Sequence, residues 1–259
     1  QVLSTGQGLC QNIGLLLERY IPWNMAPDAD SPSYKGTKPK LLDDLAKLSR
    51  QSDPLRHALK AVCQRQEHLV KQYQLAGYAI SCFAAKPAWR VVAGLGAASV
   101  LETSITLHPV YGFPIIPGSS LKGLARAYAR HSKKVAQDRP DDEIDAVFGF
   151  QRGKTAATGK VVFFDAIPTR LALEPDIMNV HYQEYYEGKQ PPADYLSPNP
   201  ILFLTAGKDS EFSFALASPR GNDELLGKAE AWLKGGLAEM GVGAKTMVGY
   251  GYFDIPWPP

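Results

Sequence analysis

The chain has 259 residues, 45% of them hydrophobic and 21% charged, with a formal net charge of +2. That length suffices for one large domain, or for one domain with sizeable insertions. So small a net charge excludes a globally basic nucleic-acid binder, so any basic surface must come from local clustering. Cys10, Cys63 and Cys82 are odd in number and widely spaced, without a CxxC pair. This fits a reducing cytoplasm and gives no zinc signature. The longest apolar run, residues 91–101, is broken by Gly94 and Gly96 and is too short to span a bilayer. No secretory pattern opens the chain, and a first residue of Gln1 predicts a trimmed N-terminus.

Residues 11–20 place Ile13, Leu16, Leu17 and Tyr20 at helical spacing. A loop rich in Pro, Asp and Ser is expected over 22–40. Residues 41–48 and 54–73 read as two further helices, with Asp53 placed to cap and Pro54 at a first helical position. Leu55, Leu59, Val62, Leu69 and Tyr73 form an apolar side on the second. The region 1–76 therefore reads as helical packing against a core, with no chemistry visible in it.

The texture changes at Gly77. Residues 78–84 and 89–92 look like strands, and 103–107 alternate as a half-buried strand does. A helix opened by Ser119 or Ser120 runs to about 131, with Leu121, Leu124, Ala125 and Tyr128 as its apolar stripe. A charged connector over 132–143 follows, then a polar, basic loop over 151–160 and a strand over 161–166. Residues 174–199 are irregular and hold His181, Tyr182, Tyr185, Tyr186 and Tyr195. These tyrosines suit base stacking, and equally the anchoring of a long loop or a protein interface. Strands over 201–205 and 211–216 precede a helix capped by Asn222 and ended by Gly241, and 247–255 is the last strand. From residue 77 this order is the split βαβ pattern of an α+β, ferredoxin-like domain covering 77–259, with insertions at about 132–158 and 174–199.

Two segments carry chemistry. In Pro117-Gly118-Ser119-Ser120-Leu121-Lys122, stability alone favours Asp or Glu in the first helical turn, because a helix N-terminus is positive. A Ser-Ser-x-Lys start gathers backbone donors, hydroxyls and a cation, which suits an anion such as phosphate. A serine cap followed by a solvated lysine accounts for the same residues. The second segment, 241–251, brings Gly241, Gly243, Gly249 and Gly251 together with Lys245 and Thr246. It is not a nucleotide-binding P-loop: the Gly-Lys pair is missing, and the loop runs from helix into strand. What remains is a close-approach loop with a cation, or a tight helix-to-strand turn. His57, His68, His108, His131 and His181 show no paired metal spacing. Of these, His108, ahead of Pro109, is the nearest to an acid–base candidate. Acidic pairs such as Asp43-Asp44 read as helix starts or solvated faces.

Together these residues resemble the RAMP superfamily of CRISPR effector complexes, in the helix start at 116–123 and the glycine-rich loop at 241–251. Further stretches, 12–20, 148–149, 159–166, 181–186 and 198–203, are similar to the sixth-subunit family of the Cmr (type III-B) complex. The resemblance implies a ferredoxin-like (RRM-like) RAMP core in a cytoplasmic, non-catalytic subunit of antiviral defence. Such a subunit holds the 3′ part of the guide RNA, caps the subunit filament and helps cradle the target RNA, with other Cmr subunits as partners. It needs no metal and no cofactor. Mapped onto this sequence, Ser119, Ser120, Lys122 and Arg126 meet guide phosphates. Gly243, Lys245 and Gly249 let the RNA backbone pass closely, and Lys154 and Thr246 complete the RNA-binding set. Backbone-cleaving members carry an Asp in the loop after the first strand, and residues 86–90 contain none. The alternative is a metal-independent endoribonuclease that processes guide precursors, with His108 or His181 as its acid–base group.

Overall fold

The computed structural model describes residues 10–18, 32–99, 101–135, 140–180, 185, 188–189, 191 and 199–255. Helix α1 (Ile13–Glu18) buries Ile13, Leu16 and Leu17. Helix α2 (Pro32–Gln51) begins well inside the expected 22–40 loop and takes Pro39 into its body. Helix α3 (Asp53–Leu75) is capped by Ser52 rather than by Asp53. Ser52 Oγ accepts the Leu55 N–H at 3.1 Å, leaving Asp53 and Pro54 as the first two helical residues. That arrangement satisfies one orphan donor and sets an acid against the positive helix end.

The core sheet is antiparallel, in the order β10 (Phe253–Asp254), β1 (Tyr78–Pro87), β9 (Glu211–Pro219) and β5 (Val162–Phe163), with β6 (Ile167–Arg170) also pairing with β9. β1 and β9 pair continuously from Tyr78↔Pro219 to Ala85↔Phe212. Helix α4 (Gly118–Ser132) links β1 to β5, and helix α6 (Asp223–Glu239) links β9 to β10. Strand, helix, strand, strand, helix, strand with this pairing order is the ferredoxin-like arrangement expected from the sequence. The two helices pack on each other so closely that a Cβ at Gly235 would lie 2.3 Å from the Tyr128 ring. A single buried apolar cluster runs from Ile13 to Phe253, with Phe113, Phe203, Phe212 and Phe214 at its centre.

A second sheet, β2 (Arg90–Val91), β8 (Asn199–Gly207) and β7 (Leu173–Val180), is where several expectations change. The 89–92 strand belongs to this sheet and not to the core, pairing Arg90↔Gly207 and Val91↔Ala206. The start of the supposedly irregular 174–199 stretch is β7, paired with β8 along its whole length. His181, Tyr182, Tyr186 and Tyr195 lie outside the described residues; Tyr185 is exposed. Residues 103–107 form no strand: their amides and carbonyls bond irregularly back to 93–95 and 113–115, with one isolated bridge at Leu107↔Pro114. The polar 151–160 stretch is an exposed hairpin, β3 (Gly149–Arg152) and β4 (Thr155–Thr158), rising from helix α5 (Asp142–Phe148).

Candidate nucleic-acid interface

Neither serine caps α4. Pro117 occupies the cap position, no side chain caps the helix, and Ser119 and Ser120 are exposed residues of its first turn. The anion at this helix start is the protein's own: Asp165 Oδ1 accepts the Gly118 N–H at 2.7 Å. Here the structure corrects the capping expectation, and the reason is steric as well as electrostatic. Gly118 sits on the β5 backbone, where a Cβ would lie 2.3 Å from Phe163 O, so the carboxylate two residues further on reaches the helix end.

Cationic character lies further along α4. Lys122, Arg126 and Arg130 follow at i, i+4 and i+8, so they form one stripe. A groove of about 610 Å³ runs beside it, lined by Gly123, Arg126, Ala127, Arg130 and Val135. Among the described residues neither Lys122 nor Arg126 makes an ion pair. Lys133, by contrast, holds Asp141 and Glu143 at 2.8 Å each, and Lys228 holds Glu143 and Glu224. The lysines beside Glu143 hold its carboxyl below the usual carboxylate range. Lys154 is exposed at the hairpin tip, in the two-residue turn between β3 and β4. Arg152 of that hairpin bonds Asp145 of α5 at 2.6 Å, which ties the hairpin to the helical layer.

The glycine-rich loop folds chiefly around its own chain. Gly243 has φ +91, and a Cβ there would meet Val92 O at 2.3 Å; the next amide, Ala244 N–H, donates to that same oxygen at 2.8 Å. Gly251 has φ +79, a Cβ there would lie 2.0 Å from Val242 O, and its amide donates to Arg90 O. Both positions thus require glycine for contacts inside the protein. Gly249 differs: it is exposed, and none of the described residues lies within 4 Å of its Cβ position. The expected long strand over 247–255 shrinks to Phe253–Asp254, because Thr246–Val248 wind into a 3-10 turn between Lys245 and Gly249, both left-handed. Lys245 is partly buried, its Nζ 3.8 Å from Met178 Sδ and 5.9 Å from the Phe203 ring centroid.

Sequence reasoning missed the groups that hold this loop. Arg90 pairs with Glu174 at 3.0 Å and Asp176 at 2.6 Å, and Tyr250 OH donates to Asp176 at 2.5 Å. Burial, then the Asp176 bond, pushes the Tyr250 phenol up to about 12. Trp89 packs on Tyr250 with ring centroids 4.8 Å apart, and the Arg90 guanidinium lies 4.8 Å from the Trp89 ring centroid. On the outer side Met247 is 96% exposed, Val248 62% and Trp89 42%. Such apolar exposure next to a lysine is the kind of patch that marks a contact surface.

The structure does not bring the two predicted segments together. The α4 start lies over β5 and the glycine-rich loop beside β10 and β2, at opposite edges of the core sheet. Three inter-strand steps of about 4.8 Å put roughly 14 Å between those edges. His108 also has a structural task. Its Nδ1 accepts the Val110 and Tyr111 amides at 3.2 and 3.3 Å, fixing the turn that leads to Phe113. Burial pushes its imidazole down, against an opposing pull from Asp165. His181 lies outside the described residues.

Comparison with known proteins places this architecture. Over 224 residues the chain is 36% identical to the CRISPR system Cmr subunit Cmr6 of Pyrococcus furiosus, covering 62% of this chain and 64% of that one. With Cmr6 of Saccharolobus solfataricus the identity is 28% over 159 residues, 60% of this chain and 50% of that one. A third relative is the CRISPR system Cms endoribonuclease Csm3 of Streptococcus thermophilus, 29% identical over 127 residues, 46% of this chain and 56% of that one. The chain thus spans between half and just under two thirds of these curated relatives. Among solved structures, a chain in the cryo-EM structure of the type III-B Cmr-beta bound to cognate target RNA has the same fold. The TM-score is 0.64 at 22% identity, over 97% of this chain and 83% of that one. The RAMP superfamily model matches residues 55–254, which take in every strand of the split βαβ core and both of its helices, and the chain belongs to that superfamily.

Proposed function

We propose that this chain is a non-catalytic, structural subunit of a type III-B (Cmr) RNA-guided effector in antiviral defence. In this reading it holds the 3′ part of the guide RNA, caps the subunit filament, and has target RNA and other Cmr subunits as partners. The likeness to the Cmr6 proteins supports the complex. The observation that carries RNA holding is the α4 stripe. Lys122 and Arg126 stand one helical turn apart, and neither has an ion-pair partner among the described residues. Unpaired cations at that spacing suit successive phosphates, and such contacts are sequence-tolerant and salt-sensitive. Lys245, Thr246, Gly249 and Lys154 offer further contacts, and an RNA that touches both edges of the sheet crosses its width.

Purification of the tagged chain from cells carrying a complete type III-B locus tests this. The reading expects a short RNA and other Cmr proteins to copurify; recovery of the chain free of both contradicts it. One relative is named an endoribonuclease, which keeps guide-precursor cleavage as the second reading. Metal-independent cleavage of repeat RNA, abolished by His108→Ala in a folded protein, supports that second reading and sinks the first.

A further inference from the structure

A cleft of about 420 Å³ lies between α3, the turn at 108–111 and the connection from β5 to β6. Apolar surface stays open in it: Leu69 is 46% exposed and Val110 68%. Two rings, Tyr111 and Phe164, line it as well, and Arg65 donates to the Tyr111 hydroxyl. Its polar groups are few and of opposite kinds. Asp165 gives Oδ1 to the Gly118 N–H, and its Oδ2 has no hydrogen-bond partner among the described residues. His108 accepts two amides on Nδ1, so its neutral ring carries the proton on Nε2, a donor with no partner among the described residues. Gln66 Nε2 donates to the Asp165 carbonyl at 2.8 Å and ties the wall to α3. One residue joins this cleft to the cation stripe. Asp165 forms part of its wall and also holds the α4 start, where Ser119 and Ser120 are exposed and Lys122 follows.

We propose that this cleft takes one unpaired guanine base of the RNA whose phosphates lie along α4, an inference that rests on the RNA-holding reading. The Asp165 carboxylate disfavours phosphate inside the cleft, while Lys122 and Arg126 favour it outside. That division sends the backbone past the helix and a base inward. Tyr111 and Phe164 offer stacking surface to any base. Hydrogen bonding then selects among the bases. Guanine presents two adjacent donors, its N1 and N2 hydrogens, to a carboxylate, and its O6 accepts from an imidazole N–H. Adenine, cytosine and uracil lack that pair of adjacent donors. An apolar peptide segment suits the cleft poorly, because it would cover Asp165 Oδ2 and the His108 Nε2–H without matching either.

The probes are fluorescein-labelled decauridine and the same RNA with a single guanosine or a single adenosine at its centre, titrated by anisotropy against the whole chain. The guanosine RNA is expected to bind at least about fivefold more tightly than the other two. In Asp165→Asn the amide oxygen still accepts the Gly118 N–H, but the charged acceptor pair is gone, and the preference is expected to fall below about twofold. Phe164→Leu keeps the apolar volume and removes a ring, and is expected to weaken the guanosine RNA at least about fivefold. Circular dichroism confirms that each variant is folded. Equal affinity for the three RNAs overturns the guanine pocket and leaves the α4 contacts standing, whereas absence of binding by all three overturns both. A preference that survives in Asp165→Asn overturns the assignment to this cleft. If Phe164→Leu loses other Cmr proteins on copurification while its guanosine preference and affinity are unchanged, the proposal is overturned in favour of a protein surface.

Discussion

Gly251 and Gly249 sit two residues apart in left-handed backbone, yet they answer to different physics. A Cβ at Gly251 would lie 2.0 Å from Val242 O, whereas at Gly249 it would meet none of the described residues within 4 Å. Gly249→Ala is therefore expected to cost only backbone strain, about 1–2 kcal/mol. Gly251→Ala adds a clash with backbone that cannot move aside, so its loss of stability in denaturant titration exceeds that of Gly249→Ala. Equal losses would contradict the close approach. His108 gives a second prediction. Burial lowers its pKa in the folded state, so acid favours the unfolded chain, where the value is about 6.5. The stabilising effect of the neutral ring is complete above that pH and drains away as pH falls through it. In His108→Asn, an amide oxygen accepts the same two N–H groups without titrating. Thermal melts from pH 7 to 5 should fall more steeply for the parent protein than for the variant; parallel slopes would refute the assignment. Glycines and a cation were legible in 241–251. What was not legible is that Gly243 serves the protein's own backbone, because its partner carbonyl, that of Val92, lies about 150 residues away in sequence.

At the scale of elements, a side-chain contact ties the exposed hairpin to helix α5. Asp145 is buried, its Oδ2 bonds Arg152 at 2.6 Å, and its Oδ1 has no hydrogen-bond partner among the described residues. Arg152→Ala leaves both oxygens unpaired and is expected to cost about 1–3 kcal/mol. Replacing both partners by leucine removes the buried charge and recovers much of that loss. A single variant as stable as the parent would show the pair to be incidental. Local periodicity made α3, α4 and α6 readable, since their apolar stripes are written within each segment. Capping was read less well. Ser52 displaced Asp53, and Asn222 turns its amide to Pro219 O instead of accepting a helix N–H. The choice among adjacent polar residues depends on the entry angle of the chain. Residues 103–107 alternate like a strand but gain no continuous partner, and alternation alone does not supply one.

At the scale of the molecule, the ferredoxin-like order was legible because it follows from the sequence of elements alone. The second sheet was not: β2 joins β8 from more than 100 residues away, and the turn chemistry between β7 and β8 lies outside the described residues. Its consequence for function is positional. Arg90, Glu174, Asp176 and Tyr250 tie that sheet to the glycine-rich loop and hold the loop at the edge opposite the α4 start. Within the site set, the stripe of Lys122 and Arg126 was legible from helical spacing, whereas the occupant of the helix N-terminus, Asp165, was not, because it comes from a segment more than 40 residues further along the chain. The central claim is that RNA is held by phosphate contacts from Lys122 on α4 and Lys245 in the glycine-rich loop. Its most direct test is the salt dependence of single-stranded RNA affinity for the parent protein and for Lys122→Ala with Lys245→Ala. Two lost contacts should weaken binding and reduce the slope of log affinity against log salt by roughly 1.4, at about 0.7 per phosphate contact on a single strand. An unchanged affinity and an unchanged slope would contradict the account.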